Sequence, residues 1–177
     1  GAIVVTMDRQ GVLPQADRWE EDGFVPREIL REMGSLGLLG IRYSSAYGGS
    51  ELDTLATAVL AEELGRSTYG GFAVTVLVHT DMASPHLHHA GTPAQQAKYL
   101  PGIIRGETIA AVAMTEADAG SDLAGMRTTA RRTAEGWVLN GTKMFITNGV
   151  HGDVFFVAAK TGESAGRGRD ISMFIVE

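Results

Sequence analysis

The chain has no cysteine among its 177 residues, and it contains fewer basic than acidic residues. Without cysteine it can form no disulfide, thiolate nucleophile or zinc–thiolate site. Fifteen Lys and Arg against 21 Asp and Glu give a net charge of −6. This balance argues against a general nucleic-acid binder, because neutralising phosphates requires clustered basic residues. What remains is a chain of ordinary globular composition, long enough for one domain or two small ones.

Hydrophobic runs of membrane-spanning length are also missing. The most apolar segment, 71–82, is interrupted by His79 and Asp81 and is too short to cross a bilayer, so it is predicted to be a buried core helix. The apolar start, 1–5, has no basic residue before it and ends at Asp8, which argues against a signal peptide. We therefore expect a cytoplasmic protein with neither a membrane nor a nucleic-acid partner.

The first 110 residues carry helical signals. Helices are predicted over 14–23, from Pro26 towards Gly40, from Asp53 to Gly65, over 70–91 and from Thr92 to Pro101. Capping residues and prolines at first helical positions mark several of these starts. Two predicted helices show apolar stripes at helical spacing, namely Ile29, Leu30, Met33 and Leu36 in one, and Leu55, Val59, Leu60 and Leu64 in the other.

Beyond Ala110 the pattern changes to strands. Strands are predicted over 127–133, 137–140, 143–147, 154–159 and 171–176, with a hairpin turn at Asn140-Gly141, a second turn at Asn148-Gly149 and a mobile loop over 162–170. Helices followed by strands predict an α+β fold and argue against a doubly wound sheet. We place an N-terminal helical domain over 1–110 and a β-domain over 111–177, which we expect to be incomplete because a strand reaches its end.

Residues 114–122, MTEADAGSD, follow a strand-like apolar run. Small residues at Ala119 and Gly120 let backbone N–H groups approach an anion closely, and Thr115 and Ser121 add hydroxyl groups. Such a stretch is also what an ordinary polar turn contains. On these residues alone, a ligand-binding turn and a simple turn both stay open.

Residues 137–149, WVLNGTKMFITNG, form a second stretch of interest. Phe145 and Thr147 alternate on the strand predicted over 143–147, so they are expected to share one face. An aromatic ring beside a hydroxyl could line a flat ligand. The alternative is a core phenylalanine next to a β-prone threonine.

The two stretches resemble motifs of the acyl-CoA dehydrogenase family. Residues 114–122 are similar to its flavin signature T-E-P-x-A-G-S-D, and 137–149 to its W-x-x-N-G-x-K-x-[FW]-I-T-N-G, at matching separation. Upstream, LGLLGI (36–41), YGG (47–49), KYLP (98–101) and GE (106–107) also match, so the resemblance covers nearly the whole chain. It departs at Ala117, where the family usually has proline, and at Val112, where it usually has an aromatic residue.

The resemblance implies an N-terminal helical domain, a β-barrel-like middle domain and a C-terminal helical bundle that this chain lacks. It implies FAD bound between the middle domain and the bundle. Met114 and Thr115 would contact the flavin ring. Gly120 and Ser121 would hold cofactor phosphate, and Ser121 would also touch the acyl-CoA.

The resemblance also implies that Phe145 would stack on the flavin and that Thr147 would form a hydrogen bond near the flavin's reactive nitrogen. The implied reaction is α,β-dehydrogenation of an acyl thioester, acyl-CoA or acyl-carrier protein, with an acceptor such as an electron-transfer flavoprotein. The family's catalytic base is a Glu of the bundle, so it is expected beyond Glu177 and no catalytic residue is nominated here. The resemblance also implies that the chain alone is inactive, binds FAD weakly and belongs to a homo-oligomer when full-length.

Two other functions stay open, a flavin monooxygenase or oxidase of the same fold and a non-catalytic subunit completed by another chain. His86, His88 and His89 lack a third ligand on one helix face, so no metal site is expected. Glu116 and Asp122 are expected to brace the 114–122 turn by accepting backbone hydrogen bonds.

Overall fold

The computed structural model describes residues 13–162 and 170–177, in which helices precede strands. The helices are α1 (Leu13–Asp22), α2 (Arg27–Ser35), α3 (Thr54–Arg66), α4 (Gly70–Leu77), α5 (Ser84–Ala90) and α6 (Pro93–Ile104), with a π-helical turn over Val78–Ala83 between α4 and α5. The strands are β1 (Ala110–Ala113), β2 (Thr129–Thr133), β3 (Gly136–Asn140), β4 (Val154–Lys160) and β5 (Ile171–Val176). The predicted order of a helical domain followed by a sheet-containing domain is confirmed.

Local capping explains where the helices begin. The Asp53 side chain accepts the Ala56 N–H at 3.2 Å before α3, and Thr92 forms a capping box with Gln95 before α6. At the end of α6, Gly106 has φ +69°, and a Cβ there would lie 2.2 Å from the Leu30 carbonyl oxygen. Only glycine allows α6 to end this close to α2.

The predicted apolar stripes are correct only in part. Leu30 and Leu60 are buried as expected, and so are the stripe residues Ile29, Met33 and Leu64. Leu36, however, is 40% exposed because α2 ends at Ser35, and Leu55 and Val59 are 70% and 37% exposed. Leu55 and Val59 lie on the solvent side of α3, where spacing alone cannot distinguish a core position from a surface one.

The predicted helix over 70–91 is one continuous helical path with a π-helical turn in its middle. Hydroxyl groups bond to the carbonyls of this turn: Ser84 Oγ donates to His79 O at 2.6 Å, and Tyr43 Oη to Thr80 O at 2.8 Å. Pro85, which has no N–H, directly follows Ser84. No helix among the described residues is long and apolar enough to span a membrane.

The sheet has the order β1-β4-β2-β3, with β5 added to β4. β1 and β4 are parallel, with Ala110 opposite Val154, whereas β4 and β5 are antiparallel, with Phe156 opposite Ile175. Leu87, Leu100 and Ile103 of α5 and α6 pack with Val154 and Phe156 in one buried cluster. The helical layer thus supports the face of the sheet next to β1, the strand that leads into the 114–122 turn.

Two strand predictions are wrong. The hairpin lies between β2 and β3, with Thr133 opposite Gly136, and Asn140-Gly141 follows β3 without turning it back. Residues 143–147 form no strand, because Phe145 has φ 54°, which an extended strand cannot contain. The turn predicted at Asn148-Gly149 is present. Most of the loop predicted over 162–170 lies outside the described residues.

Candidate functional site

β1 carries the chain from the buried sheet into the 114–122 turn. Ala110, Ala111 and Ala113 are buried, and Met114 and Thr115 immediately after them are half-buried. Two backbone bonds close the turn: the Glu116 N–H donates to Ala119 O at 2.8 Å, and the Ala119 N–H returns to Glu116 O at 3.2 Å. Gly120 and Ser121 then lie exposed on the surface.

Glu116 braces this turn from beneath, as predicted. Its carboxylate accepts the Arg127 N–H at 2.6 Å and the Thr128 N–H at 3.0 Å. It also pairs with Lys143 Nζ at 2.8 Å, and this contact was not anticipated from the sequence. Burial raises the pKa of the Glu116 carboxyl, but the Lys143 ammonium and the hydrogen bonds outweigh burial and lower that pKa to about 2. Glu116 is therefore ionised, and both of its carboxylate oxygens already bond to neighbouring groups, so it is unsuited to act as a base.

The second stretch runs directly beside this turn. The Met144 N–H donates to Thr115 O at 2.9 Å, and Lys143 Nζ donates to Met114 O at 2.9 Å. These bonds, one of which joins residues 29 positions apart in the chain, bring the two motifs into one surface. Phe145 projects from this surface with 88% of its area exposed.

Phe145 and Thr147 were predicted to share one strand face, and this is wrong. The left-handed backbone at Phe145, φ 54°, breaks the alternation, so its ring is exposed while Thr147 is half-buried. A phenylalanine rarely adopts this conformation, and such outliers persist only where neighbouring contacts hold them. The contacts of Lys143 and Met144 on one side and of Asn148 on the other supply that restraint.

Asn148 anchors the far end of the stretch. Its Nδ2 donates to Thr75 O in α4 and to Ala110 O in β1, both at 3.2 Å. Its own backbone is left-handed, φ 63°, a conformation that asparagine tolerates better than most residues. The Gly152 N–H closes the turn onto Asn148 O at 2.7 Å.

The surface has the chemistry of a site for a flat ring attached to phosphates. An exposed aromatic ring offers a stacking face, and Thr115 and Ser121 offer hydroxyl groups. A Cβ built on Gly120 would meet no heavy atom within 4 Å, so the backbone there is open to a ligand. These donors fit FAD, as the resemblance implies.

The histidines on α5 contact one another and neighbouring aromatic rings. His88 and His89 lie with ring centroids 4.8 Å apart, and His88 also lies 5.1 Å from the Tyr43 ring. Within 13–162 and 170–177, no group of three or more metal-ligating side chains is arranged to hold an ion.

Lys143 and Asn148 are the two site residues that motif reasoning overlooked. Both stand inside the stretch 137–149, and their positions in that motif were the available signal. An isolated lysine in a polar stretch reads as a surface residue, and an Asn-Gly pair reads as a turn. Neither pattern reveals that the side chain points inward to a carbonyl group.

Comparison with known proteins identifies the family. Residues 6–107 match the acyl-CoA dehydrogenase N-terminal domain, and residues 111–177 match the acyl-CoA dehydrogenase middle domain. The mitochondrial long-chain specific acyl-CoA dehydrogenase of Mus musculus is 41% identical over 170 residues, which is 96% of this chain and 39% of that protein.

Solved structures agree. The acyl-CoA dehydrogenase of Geobacillus kaustophilus superposes with a TM-score of 0.94 at 37% identity, over 99% of this chain and 46% of that one. An acyl-CoA dehydrogenase from Bacillus anthracis, complexed with FAD, superposes with a TM-score of 0.88 at 41% identity, over 99% of this chain and 30% of that one. The chain thus spans less than half the length of these relatives. It belongs to the acyl-CoA dehydrogenase family.

Proposed function

We propose that the protein containing this chain is an FAD-dependent acyl-CoA dehydrogenase that introduces an α,β double bond into an acyl thioester. The observation that carries this proposal is the Met144 N–H to Thr115 O bond, which joins the segment carrying exposed Phe145 to the 114–122 turn. The relative from Bacillus anthracis, whose fold this chain shares, is complexed with FAD.

We assign a role to each of the six candidate residues. A flavin bound here would supply the two-electron oxidant for the hydride that leaves the β-carbon. Met114 and Thr115 line the ring from the end of β1, and Phe145 covers one face of it.

The remaining residues act at the edges of the site. Gly120 and Ser121 bind the cofactor phosphate, and Ser121 also meets the acyl thioester. Half-buried Thr147 supplies a hydroxyl near the ring. Since both Glu116 oxygens are engaged, we assign the base that removes the α-proton to a Glu outside this chain.

The proposal extends to the rest of the protein. The helix-to-strand change supports a domain division into 1–110 and 111–177. The substrate is acyl-CoA or an acyl-carrier-protein thioester, the electron acceptor is a protein such as an electron-transfer flavoprotein, and the full-length protein is a homo-oligomer. The cytoplasmic location expected from the sequence stays a prediction, and the mouse relative is mitochondrial.

Anaerobic mixing of the full-length holoprotein with acyl-CoA tests the reaction. Transfer of the β-hydride bleaches the flavin's visible absorbance, so we expect bleaching with at least one member of a short-, medium- and long-chain series. Acyl groups already carrying the α,β double bond are the matched controls and should leave the absorbance unreduced. A holoprotein that no saturated acyl-CoA bleaches would contradict the proposal.

The same absorbance measurement distinguishes the dehydrogenase from an oxidase or monooxygenase of the same fold. An oxidase, once reduced, returns to the yellow form within seconds of admitting air and consumes oxygen stoichiometrically. The dehydrogenase is expected to reoxidise slowly in air and rapidly with an electron-transfer flavoprotein. Rapid turnover with oxygen would favour the oxidase.

A further inference from the structure

The Glu116–Lys143 pair is the most buried ion pair in the described part of the chain. The two side chains are 7% and 10% exposed. In each of the other ion pairs among the described residues, at least one side chain is 33% or more exposed. Burying two charges in this way is costly and needs hydrogen bonds to the remaining donors and acceptors. Both side chains have such bonds, and all of them lie in or next to the turn.

Lys143 contacts the peptide group that would face the flavin. Its Nζ lies 2.9 Å from Met114 O, 2.8 Å from Glu116 Oε1 and 4.0 Å from Met126 Sδ. The Met114–Thr115 peptide bond is trans, since the described chain has no cis peptide. The Thr115 N–H therefore points from the edge opposite the carbonyl. A cation bonded to the carbonyl polarises the group and makes that N–H a stronger donor.

We propose that the buried Glu116–Lys143 pair is a positioning element of the flavin site, which orients the Met114–Thr115 peptide and sets the reduction potential of the bound flavin. This inference rests on the proposed function. It concerns the buried side chains of Glu116, which lies in the turn, and of Lys143, which bonds to Met114 O.

Because Glu116 and Lys143 carry opposite charges, removing each charge in turn tests their effect on the flavin potential. In a site from which water is excluded, an uncompensated charge acts over a longer distance than in water. Reduction adds negative charge to the flavin, so a nearby uncompensated carboxylate opposes it and a nearby uncompensated ammonium favours it. Removing Lys143 and removing Glu116 must therefore move the potential in opposite directions.

The experiment compares full-length holoprotein variants. Lys143→Met keeps the length of the side chain without its charge, Glu116→Gln keeps the shape of the carboxylate, and the double variant removes both charges. Lys98→Met is the matched control, because Lys98 pairs with Glu177 on the surface with 60% of its side chain exposed. The measurement is the flavin midpoint potential, read by equilibration with reference dyes, together with the visible circular dichroism of the flavin.

The potential is expected to fall in Lys143→Met, to rise in Glu116→Gln and to return near the wild-type value in the double variant. Lys98→Met should leave it unchanged. We also expect Lys143→Met to weaken FAD binding to the apoprotein by about 10- to 100-fold, the range seen when an outer-shell partner of a bound metal is lost. Lys143→Arg retains the cation and should retain most of the wild-type potential.

Shifts of the same sign in both single variants, or no shift in either, would overturn the inference and leave the pair a structural brace only. If Lys143→Met does not fold, the rise in Glu116→Gln and the retention in Lys143→Arg remain decisive. Failure of the proposed function is distinguishable from failure of this inference. A yellow wild-type protein that acyl-CoA cannot bleach disproves the reaction, and the midpoint potentials of the variants still test the role of the Glu116–Lys143 pair. A full-length protein that binds no flavin overturns both.

Discussion

At the scale of single residues, His79 shows how one buried imidazole can connect three elements. It lies in the π-helical turn and is completely buried. Its Nε2 is 2.9 Å from Ile103 O at the end of α6, and its Nδ1 is 3.1 Å from the Ala110 N at the start of β1. A carbonyl must accept and an amide must donate, so these bonds select the neutral tautomer with its proton on Nε2.

His79 should make the protein less stable in weak acid. Burial lowers the pKa of His79 to about 4 from the ordinary value of 6.5, against the opposing hydrogen bond to Ile103. The unfolded chain therefore binds the proton first as the pH falls. The contribution of neutral His79 to the unfolding free energy is fully present above pH 6.5. It falls by on the order of 3 kcal/mol as the pH drops from 6.5 to 4.

Urea unfolding of the full-length protein at pH 7.5, 6, 5 and 4 measures this effect. The difference in unfolding free energy between wild type and His79→Gln is expected to be largest at pH 7.5 and to shrink towards pH 4. His89→Gln, at an exposed histidine of α5, is the matched control and should give a small difference. A His79→Gln difference that does not change with pH would contradict the prediction.

At the scale of elements, the sequence predicts what local rules decide and fails where tertiary contacts decide. Helix starts at Asp53 and Thr92 follow from capping chemistry, which a few neighbouring residues contain. The non-strand conformation of 143–149 comes from bonds to β1, α4 and the 114–122 turn, all distant in sequence. The motifs therefore predicted which stretches form the site, but not the shape of the second one or the inward side chains of Lys143 and Asn148.

Asn148 offers a test of how this segment is held. Asn148→Ala loses both amide bonds and places alanine at φ 63°, so we expect a loss of about 2–4 kcal/mol in unfolding free energy and weaker FAD binding. Asn148→Gly loses the same bonds but accepts the left-handed backbone, so its loss should be about 1–2 kcal/mol smaller. Chemical unfolding and FAD titration of the full-length apoprotein measure both. Equal losses in the two variants would show that the backbone conformation contributes nothing.

At the scale of the whole molecule, polar contacts converge where the chain passes from helices to sheet. The Ile109 N–H donates to Asp153 Oδ2 at 2.8 Å, and the Ala110 peptide edges bond to His79 and Asn148. The Asp153 and Val154 N–H groups both donate to Ile109 O, at 2.9 and 3.2 Å. Ile109 and Ala110 are thus held by the π-helical turn and by the loop before β4, in which Asn148 also bonds to Thr75 O of α4.

Arg27 of α2 also bonds at this junction. We expect its loss to lower the unfolding free energy of the protein without changing the flavin midpoint potential. Its guanidinium donates two hydrogen bonds of 2.8 Å to the Asp153 carboxylate and one of 2.7 Å to His151 O. The Arg27 guanidinium is the main cause of a lowered Asp153 pKa, against partial burial. The contribution is therefore present above the ordinary carboxyl pKa of 3.8 and lost as the pH falls below it.

Arg27→Met is expected to cost about 1–2 kcal/mol at pH 7, because the bidentate geometry and the carbonyl bond exceed those of an ordinary surface pair while both side chains stay more than a third exposed. Arg18→Met, which breaks an exposed contact with Asp22 within α1, is the matched control and should cost about 0.5 kcal/mol or less. Both follow from urea unfolding of the full-length protein, alongside the flavin midpoint potential. Because the hydrogen bonds of Arg27 go to Asp153 and His151, outside the turn and the stretch beside it, the potential should not move. A shift there would mean that the helix-to-sheet junction controls the geometry of the flavin surface itself.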